Sequence, residues 1–238
     1  MTIHRFFVSE QSFRQNLVII EDKDLIAQIA YVLRGRKGDL VVFLDNKGFE
    51  YESELISFSK NKISAKILNK KENLNEEKQE IVLYQAITKS LDKFELILQK
   101  CTELGVKAFV PVITERCQRD FLPKKERLEK IIKEAAEQSE RGIVPELLEE
   151  LNFESALKSA AENGGGVVCY ERKLKIELKE LKIRNKKINI FIGPEGGFSD
   201  KEIELVKSFG DKFRFMSLGK RILRTETAAI VAVVRILF

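Results

Sequence analysis

The sequence predicts an α/β protein in two parts: a small strand-rich N-terminal domain, most economically packed as a β-barrel, and a larger domain with a mainly parallel sheet covered by helices. Three observations carry this. The first part is dense in short apolar runs broken by turn residues; from Ile81 onward such runs alternate with long amphipathic segments; and between them the run KKENLNEEKQE is charged and almost without apolar residues. Alternation of strand and helix patterns marks a parallel sheet, because a parallel pair needs a crossover long enough to hold a helix.

In the first part, strands are expected over Ile3 to Val8, Leu40 to Leu44, Phe49 to Phe58 and Ile63 to Leu68, with a turn at Asp45-Asn46-Lys47-Gly48. The exception is Asp24 to Arg34, where Leu25, Ile26, Ile29, Val32 and Leu33 recur at helical spacing and Gly35 can end the helix. This helix should close one end of the barrel. The charged run places a domain boundary at 71/72 and, lacking Pro and Gly, reads as a semi-rigid or partly helical connector.

In the second part the strands are IVLYQAI, AFVPVI, GVVCY, INIFI and FRFMSL. Helices are expected over Lys89 to Leu104, ended by Gly105, then near Lys124 to Ser139, Phe153 to Ala161 and Asp200 to Phe209, and at the C-terminus. Gly164-Gly165-Gly166 reads as a flexible turn. From Ala228 to Phe238 only Arg235 is polar, so the last helix should be buried in the domain or in an interface.

Composition narrows the function classes. With 238 residues, 44% of them apolar, the chain can build a core, which excludes an extended or disordered polymer. Cys101, Cys117 and Cys169 are far apart, form no CxxC pair and have a single histidine to help them, so neither structural zinc nor a disulfide scaffold is expected. The N-terminus has no long uncharged core and no stretch of 18 apolar residues occurs. A cytoplasmic location is expected. A net charge of +5 permits nucleic acid without demanding it.

In open α/β sheets ligands collect at the carboxyl ends of strands, which directs attention to the segments after INIFI and FRFMSL. The first is Gly193-Pro194-Glu195-Gly196-Gly197-Phe198, followed by Ser199 and Glu202 in the spacing of a capping box. Its glycines let backbone approach a ligand, although an ordinary strand-to-helix turn is an equal reading; the pattern is neither G-x-G-x-x-G nor a P-loop, which lowers dinucleotides and nucleoside triphosphates. The second is Leu218-Gly219-Lys220-Arg221-Ile222-Leu223-Arg224-Thr225-Glu226-Thr227. A polar loop carrying Arg224 and docked on an apolar helix is positioned by the core itself. The plainer reading is a helix N-terminus capped by Thr225 or Thr227, with Glu226 complementing the dipole.

Taken together, FIGPEGGFS and LGKRILRTETAA resemble the C-terminal signatures of the RsmE family, the small-subunit ribosomal RNA uridine-N3 methyltransferases of the SPOUT class. QKCTELGV, TERC and AAEQSER, with HRFFV and VLRGRKGD in the small domain, agree in order and spacing, so the resemblance covers nearly the whole chain. The chain departs from the pattern at Gln28 and Tyr31, where members often carry a histidine and a basic residue.

The resemblance implies a PUA-like N-terminal barrel that helps bind RNA, and a SPOUT domain with a deep trefoil knot that pairs with a second copy. It implies S-adenosylmethionine as cofactor, without a metal, held by Gly193, Glu195, Gly196, Gly197, Leu218 and Gly219, with Ile222 and Leu223 against its apolar parts and Tyr170, Arg224 and Thr227 bordering it. The substrate implied is 16S rRNA within the small subunit. Arg224 is the expected electrostatic stabiliser of the uridine, and Glu226 either accepts its proton, orients Arg224 or caps the helix. Candidate RNA contacts are Arg5, Arg34, Arg36, Lys37, Arg116 and Arg141; Arg116 follows a strand and Arg141 lies on a helix, so the two could approach one site.

Overall fold

The structure is a computed structural model in which residues 3–170 and 187–237 are described. The chain forms two compact units, one of Met1–Glu76 with Ala136–Val144, the other of Glu77–Ala135 with Pro145–Phe238.

The small barrel expected at the N-terminus takes the form of a six-stranded mixed sheet. Its strands are β1 (His4–Phe7), β2 (Phe13–Arg14), β3 (Leu17–Ile20), β4 (Leu40–Leu44), β5 (Phe49–Ser59) and β6 (Lys62–Glu72), in the order β1-β4-β5-β6-β3-β2. β1 pairs in parallel with β4 and the other pairs are antiparallel. Alternate positions point inward and build a core of Phe6, Val18, Ile20, Phe43, Leu55 and Ile63. Helix α1 (Lys23–Ala27) starts where Asp22 Oδ1 accepts the Leu25 N–H at 2.8 Å. A π-helical turn over Gln28–Val32 then replaces the continuous helix that the apolar spacing predicts. Gly35 closes it by donating its N–H to the Ile29 carbonyl at 2.9 Å.

The charged run does not begin as a connector. Lys70, Lys71 and Glu72 complete β6 opposite Tyr51, Glu50 and Phe49. Each cation has a cross-strand partner: Lys70 Nζ lies over the Phe49 ring at 4.3 Å, and Lys71 Nζ meets Glu52 at 2.7 Å.

The segment 136–144 belongs to this first unit although it comes much later in the sequence. Ala136 is buried with Phe7, Val42 and Leu44, and Val144 packs against the same cluster. Polar bonds fix the segment. Glu137 Oε1 accepts the Phe7 N–H at 2.9 Å, Asn73 Nδ2 donates to the Glu140 carbonyl at 2.9 Å, and Arg141 meets Glu76 through Nη2 at 2.9 Å and Nε at 3.2 Å.

In the second unit every strand pair is parallel. Strands β7 (Glu80–Ala86), β8 (Ala108–Ile113), β10 (Leu151–Asn152), β11 (Gly166–Cys169), β12 (Lys187–Ile192) and β13 (Phe213–Met216) lie in the order β10-β8-β7-β12-β11-β13, with the short β9 (Glu146–Leu147) beside β8. The central β7 and β12 are almost continuously apolar because both faces are covered. The crossovers carry α2 (Leu91–Glu103), α3 (Lys125–Gln138), α4 (Phe153–Glu162) and α5 (Asp200–Ser208), and α6 (Thr225–Leu237) follows β13. The expected capping box is formed at α5: Ser199 and Glu202 exchange side-chain-to-backbone bonds.

The triple glycine is a turn, but a tightly packed one. Gly165 has a φ of +81°, and a Cβ there would lie 1.8 Å from the Lys212 carbonyl oxygen. The last helix is buried on one face only: Ala229, Ala232 and Val233 are inside, while Val234 is exposed.

Candidate active site

Because β12, β11 and β13 are adjacent and parallel, the segments leaving their carboxyl ends open on one edge of the sheet. There they enclose a cleft of about 660 Å³. Residues distant in sequence line it. Cys169 and Tyr170 follow β11, Ile192 to Phe198 follow β12, and Leu218 with Ile222 to Thr225 follow β13. Lys93 of α2 and Arg116, from the segment after β8, complete the wall.

Several side chains hold the glycine loop in place. Thr225 opens α6 and donates its hydroxyl to the Gly193 carbonyl at 2.7 Å while accepting from Gln85 Nε2 at 3.1 Å. One buried threonine therefore joins the two loops to the central strand β7. Arg116 Nη1 donates to the carbonyls of Gly196 at 2.9 Å and Phe198 at 3.3 Å. Glycine is favoured at two points: Gly197 has a φ of +67°, and a Cβ at Gly193 would make a tight contact with the Phe198 ring at 3.3 Å. Tyr170 is set by its N–H bond to the Met216 carbonyl at 3.1 Å.

Glu195 faces α2, where its carboxylate meets Lys93 Nζ at 2.9 Å and the Lys89 N–H at 3.3 Å. Burial alone would raise its pKa. The Lys93 hydrogen bond and the backbone N–H groups of Glu195 and Lys89 outweigh that, so the carboxyl is held below the usual carboxylate range.

Of the residues singled out in the sequence, Tyr170, Gly193, Glu195, Gly196, Gly197, Leu218, Ile222, Leu223 and Arg224 line this cleft. Gly219 sits in the same loop, with a φ of +126°, but is not part of the wall. Glu226 and Thr227 also stand outside it; Glu226 Oε2 is buried without a hydrogen-bond partner among the described residues. Sequence reading missed Thr225 as the link between loops, and Lys93 as the partner of Glu195. Neither carries a local signal, since each acts on a residue about 30 or more positions away.

The candidate RNA contacts divide. Arg34, Arg36 and Lys37 are exposed. Arg116 is exposed as well, but it braces the glycine loop. The other two candidates are engaged within the first unit. Arg141 is 2% exposed and bound to Glu76, and Arg5 is largely buried with Nη1 on Glu140 at 2.9 Å. Both are held by acids of the first unit, and the Arg141 guanidinium is buried there.

A family model described as an RNA methyltransferase domain matches residues 75–237. Ribosomal RNA small subunit methyltransferase E of Bacillus subtilis is 34% identical over 220 residues, covering 87% of this chain and 84% of that protein. The Aquifex aeolicus protein of that name is 31% identical and covers 99% of each chain. Among solved structures, Ribosomal RNA small subunit methyltransferase E from Neisseria gonorrhoeae, bound to S-adenosyl methionine, superposes with a TM-score of 0.88 at 31% identity, covering 98% of this chain and 96% of that one.

A parallel α/β domain of SPOUT type with its cleft at the strand ends, matched throughout by an RNA methyltransferase model, defines the class. Within that class, the chain belongs to the RsmE family.

Proposed function

We propose that this chain transfers the methyl group of S-adenosylmethionine to N3 of one uridine in 16S rRNA of the small ribosomal subunit. The observation that supports this best is the Thr225–Gly193 hydrogen bond, which draws two glycine-bearing loops around one cleft with Arg224 in its wall.

The lining suits the cofactor. Ile192, Leu218, Leu223 and Ala228 offer apolar walls, the glycine loop offers backbone groups, and Glu195, the one acid among the lining residues, is already paired with Lys93. Gly193, Glu195, Gly196, Gly197, Leu218 and Gly219 hold the adenine and ribose through their backbones, with Ile222, Leu223, Tyr170 and Thr227 around them. When bound, S-adenosylmethionine supplies a methyl group on a positively charged sulfur. Placement does most of the work in such a displacement, and here the hydrogen bonds of Thr225 and Arg116 hold the loops in position.

Uridine N3 carries a proton at neutral pH, so the site must stabilise the anion left when it departs. Arg224 performs this role at the cleft wall. Glu226, two residues on in α6, is not part of the cleft wall and keeps a buried carboxylate oxygen without a hydrogen-bond partner among the described residues; it serves as a support for Arg224, or as proton acceptor if its side chain turns into the cleft. The first unit helps bind the rRNA. The family further implies a trefoil knot, a homodimer and a cytoplasmic setting.

Primer extension on 16S rRNA from a strain lacking this gene tests the reading. Addition of the protein with S-adenosylmethionine should produce one new stop at a uridine, since a methyl on N3 blocks pairing, and nucleoside mass spectrometry should give 3-methyluridine. Ribose-methylated nucleosides, or no product, would overturn it.

A further inference from the structure

The capping-box carboxylate of α5 has a second partner that the cap does not need. Glu202 is 7% exposed, and while its Oε2 accepts the Ser199 N–H at 2.8 Å, its Oε1 accepts the Glu115 N–H at 2.9 Å from the segment after β8. The contact is returned. Ser199 donates its hydroxyl to Glu115 Oε2 at 2.7 Å, so Glu115, Ser199 and Glu202 form a closed ring between segments 84 or more positions apart.

The segment gripped this way is short and internally tied. The Cys117 N–H donates to the Thr114 carbonyl at 3.0 Å, and the Thr114 N–H to Cys117 Sγ at 3.4 Å. Between them stands Arg116, whose Nη1 holds the carbonyls of Gly196 and Phe198 and whose stem lies so close that a Cβ on Gly196 would come within 3.3 Å of it. Moving the Glu115 backbone therefore moves the root of the side chain that fixes the glycine loop, and that loop is one wall of the cleft.

The cap requires one acceptor oxygen, which Gln supplies as well as Glu. Two N–H groups arriving from different segments need both oxygens of a carboxylate, since an amide has one acceptor oxygen and its NH2 would repel the second N–H. We infer that Glu202 is a positioning residue for S-adenosylmethionine: through the Glu115 N–H it sets Arg116, and Arg116 sets the backbone of Gly196 to Phe198 against the cofactor. The inference rests on the cofactor site proposed above and is independent of which RNA atom takes the methyl.

The test is calorimetry with S-adenosylhomocysteine on the whole protein as Glu202→Gln, Arg116→Ala and the two combined, each checked for folding by thermal unfolding without ligand. Glu202→Gln should keep a midpoint near that of wild type, because the cap survives, and should weaken binding about tenfold, the cost of one hydrogen bond to a charged group. Arg116→Ala should weaken it at least as much, and the double variant no further, because the carboxylate acts through the guanidinium. Glu115→Ala, at an exposed position outside the cap, removes the return bond from Ser199 and should weaken binding about threefold. Single-turnover methyl transfer at saturating cofactor should fall in the same order. Wild-type affinity in Glu202→Gln would make the carboxylate a cap alone, and losses that multiply in the double variant would make it act elsewhere than through Arg116; either overturns the inference. If Glu202→Gln does not fold, wild-type affinity in Glu115→Ala overturns it instead. Failure of the proposed function is separable, because wild-type protein then binds S-adenosylhomocysteine and methylates no uridine.

Discussion

Arg141 and Arg224 both stand in segments that mark the family, yet they have opposite surroundings. Arg141 is buried and forked onto Glu76, whose Oε1 also accepts the N–H groups of Gly142 and Ile143. Arg224 is exposed on the wall of the cleft, just before the threonine that joins the two loops. A guanidinium becomes structural or reactive according to the acids that fold against it, and spacing along the chain does not reveal those acids.

Substitutions can break this comparison. Arg141→Ala should have the largest effect, lowering stability in urea by about 3–5 kcal/mol, because it removes the guanidinium facing the largely buried Glu76 carboxylate. A wild-type unfolding midpoint would remove one side of the contrast. Arg224→Ala should leave stability within about 0.5 kcal/mol of wild type. It should slow single-turnover methyl transfer roughly 100- to 1000-fold, the usual cost of losing one donor to a developing anion. Running Glu226→Gln beside it refines the picture: unchanged transfer in that variant eliminates Glu226 as the base.

Smaller effects sharpen the cleft side of the comparison. Thr225→Val strands the Gly193 carbonyl and the Gln85 amide, so it should cost about 1–3 kcal/mol and weaken S-adenosylhomocysteine binding in calorimetry, with Thr225→Ser retaining both. Glu195→Gln should be mildest, a small loss of stability at neutral pH that disappears in acid, where the wild-type carboxyl is protonated too. Its carboxyl is held below the usual range, so the stabilisation it gives is complete above the unfolded value of about 4.3 and lost as pH falls through the folded one. Wild-type stability should therefore decline as pH falls below the ordinary glutamate value of about 4.3, a step that the Gln variant lacks.

Periodicity was enough for the regular elements. Ala108–Ile113 reads from its apolar run, and α5 from Ser199 and Glu202, because these signals are local. It failed where a partner lies far along the chain. The pairs Phe13–Arg14 and Leu17–Ile20 are too short for a pattern of their own and exist because β6 is there to pair with β3. Lys70 to Glu72 look solvated until the opposing strand supplies aromatic rings and carboxylates. The two cleft loops were legible from their glycines and from family resemblance, whereas the threonine bond that closes them, and the acids that claim Arg5 and Arg141, depend on tertiary contact.

The position of residues 136–144 also sets an order of events during synthesis. Phe7, Val42 and Leu44 wait for Ala136 and Val144, which emerge from the ribosome only after the first two strands of the following sheet. At ~5–20 residues per second the wait from Leu44 to Val144 lasts roughly 5–20 s, during which the amino-terminal half-core stays uncovered in the nascent chain. The earliest part of this polypeptide to be made is thus not the earliest to be finished.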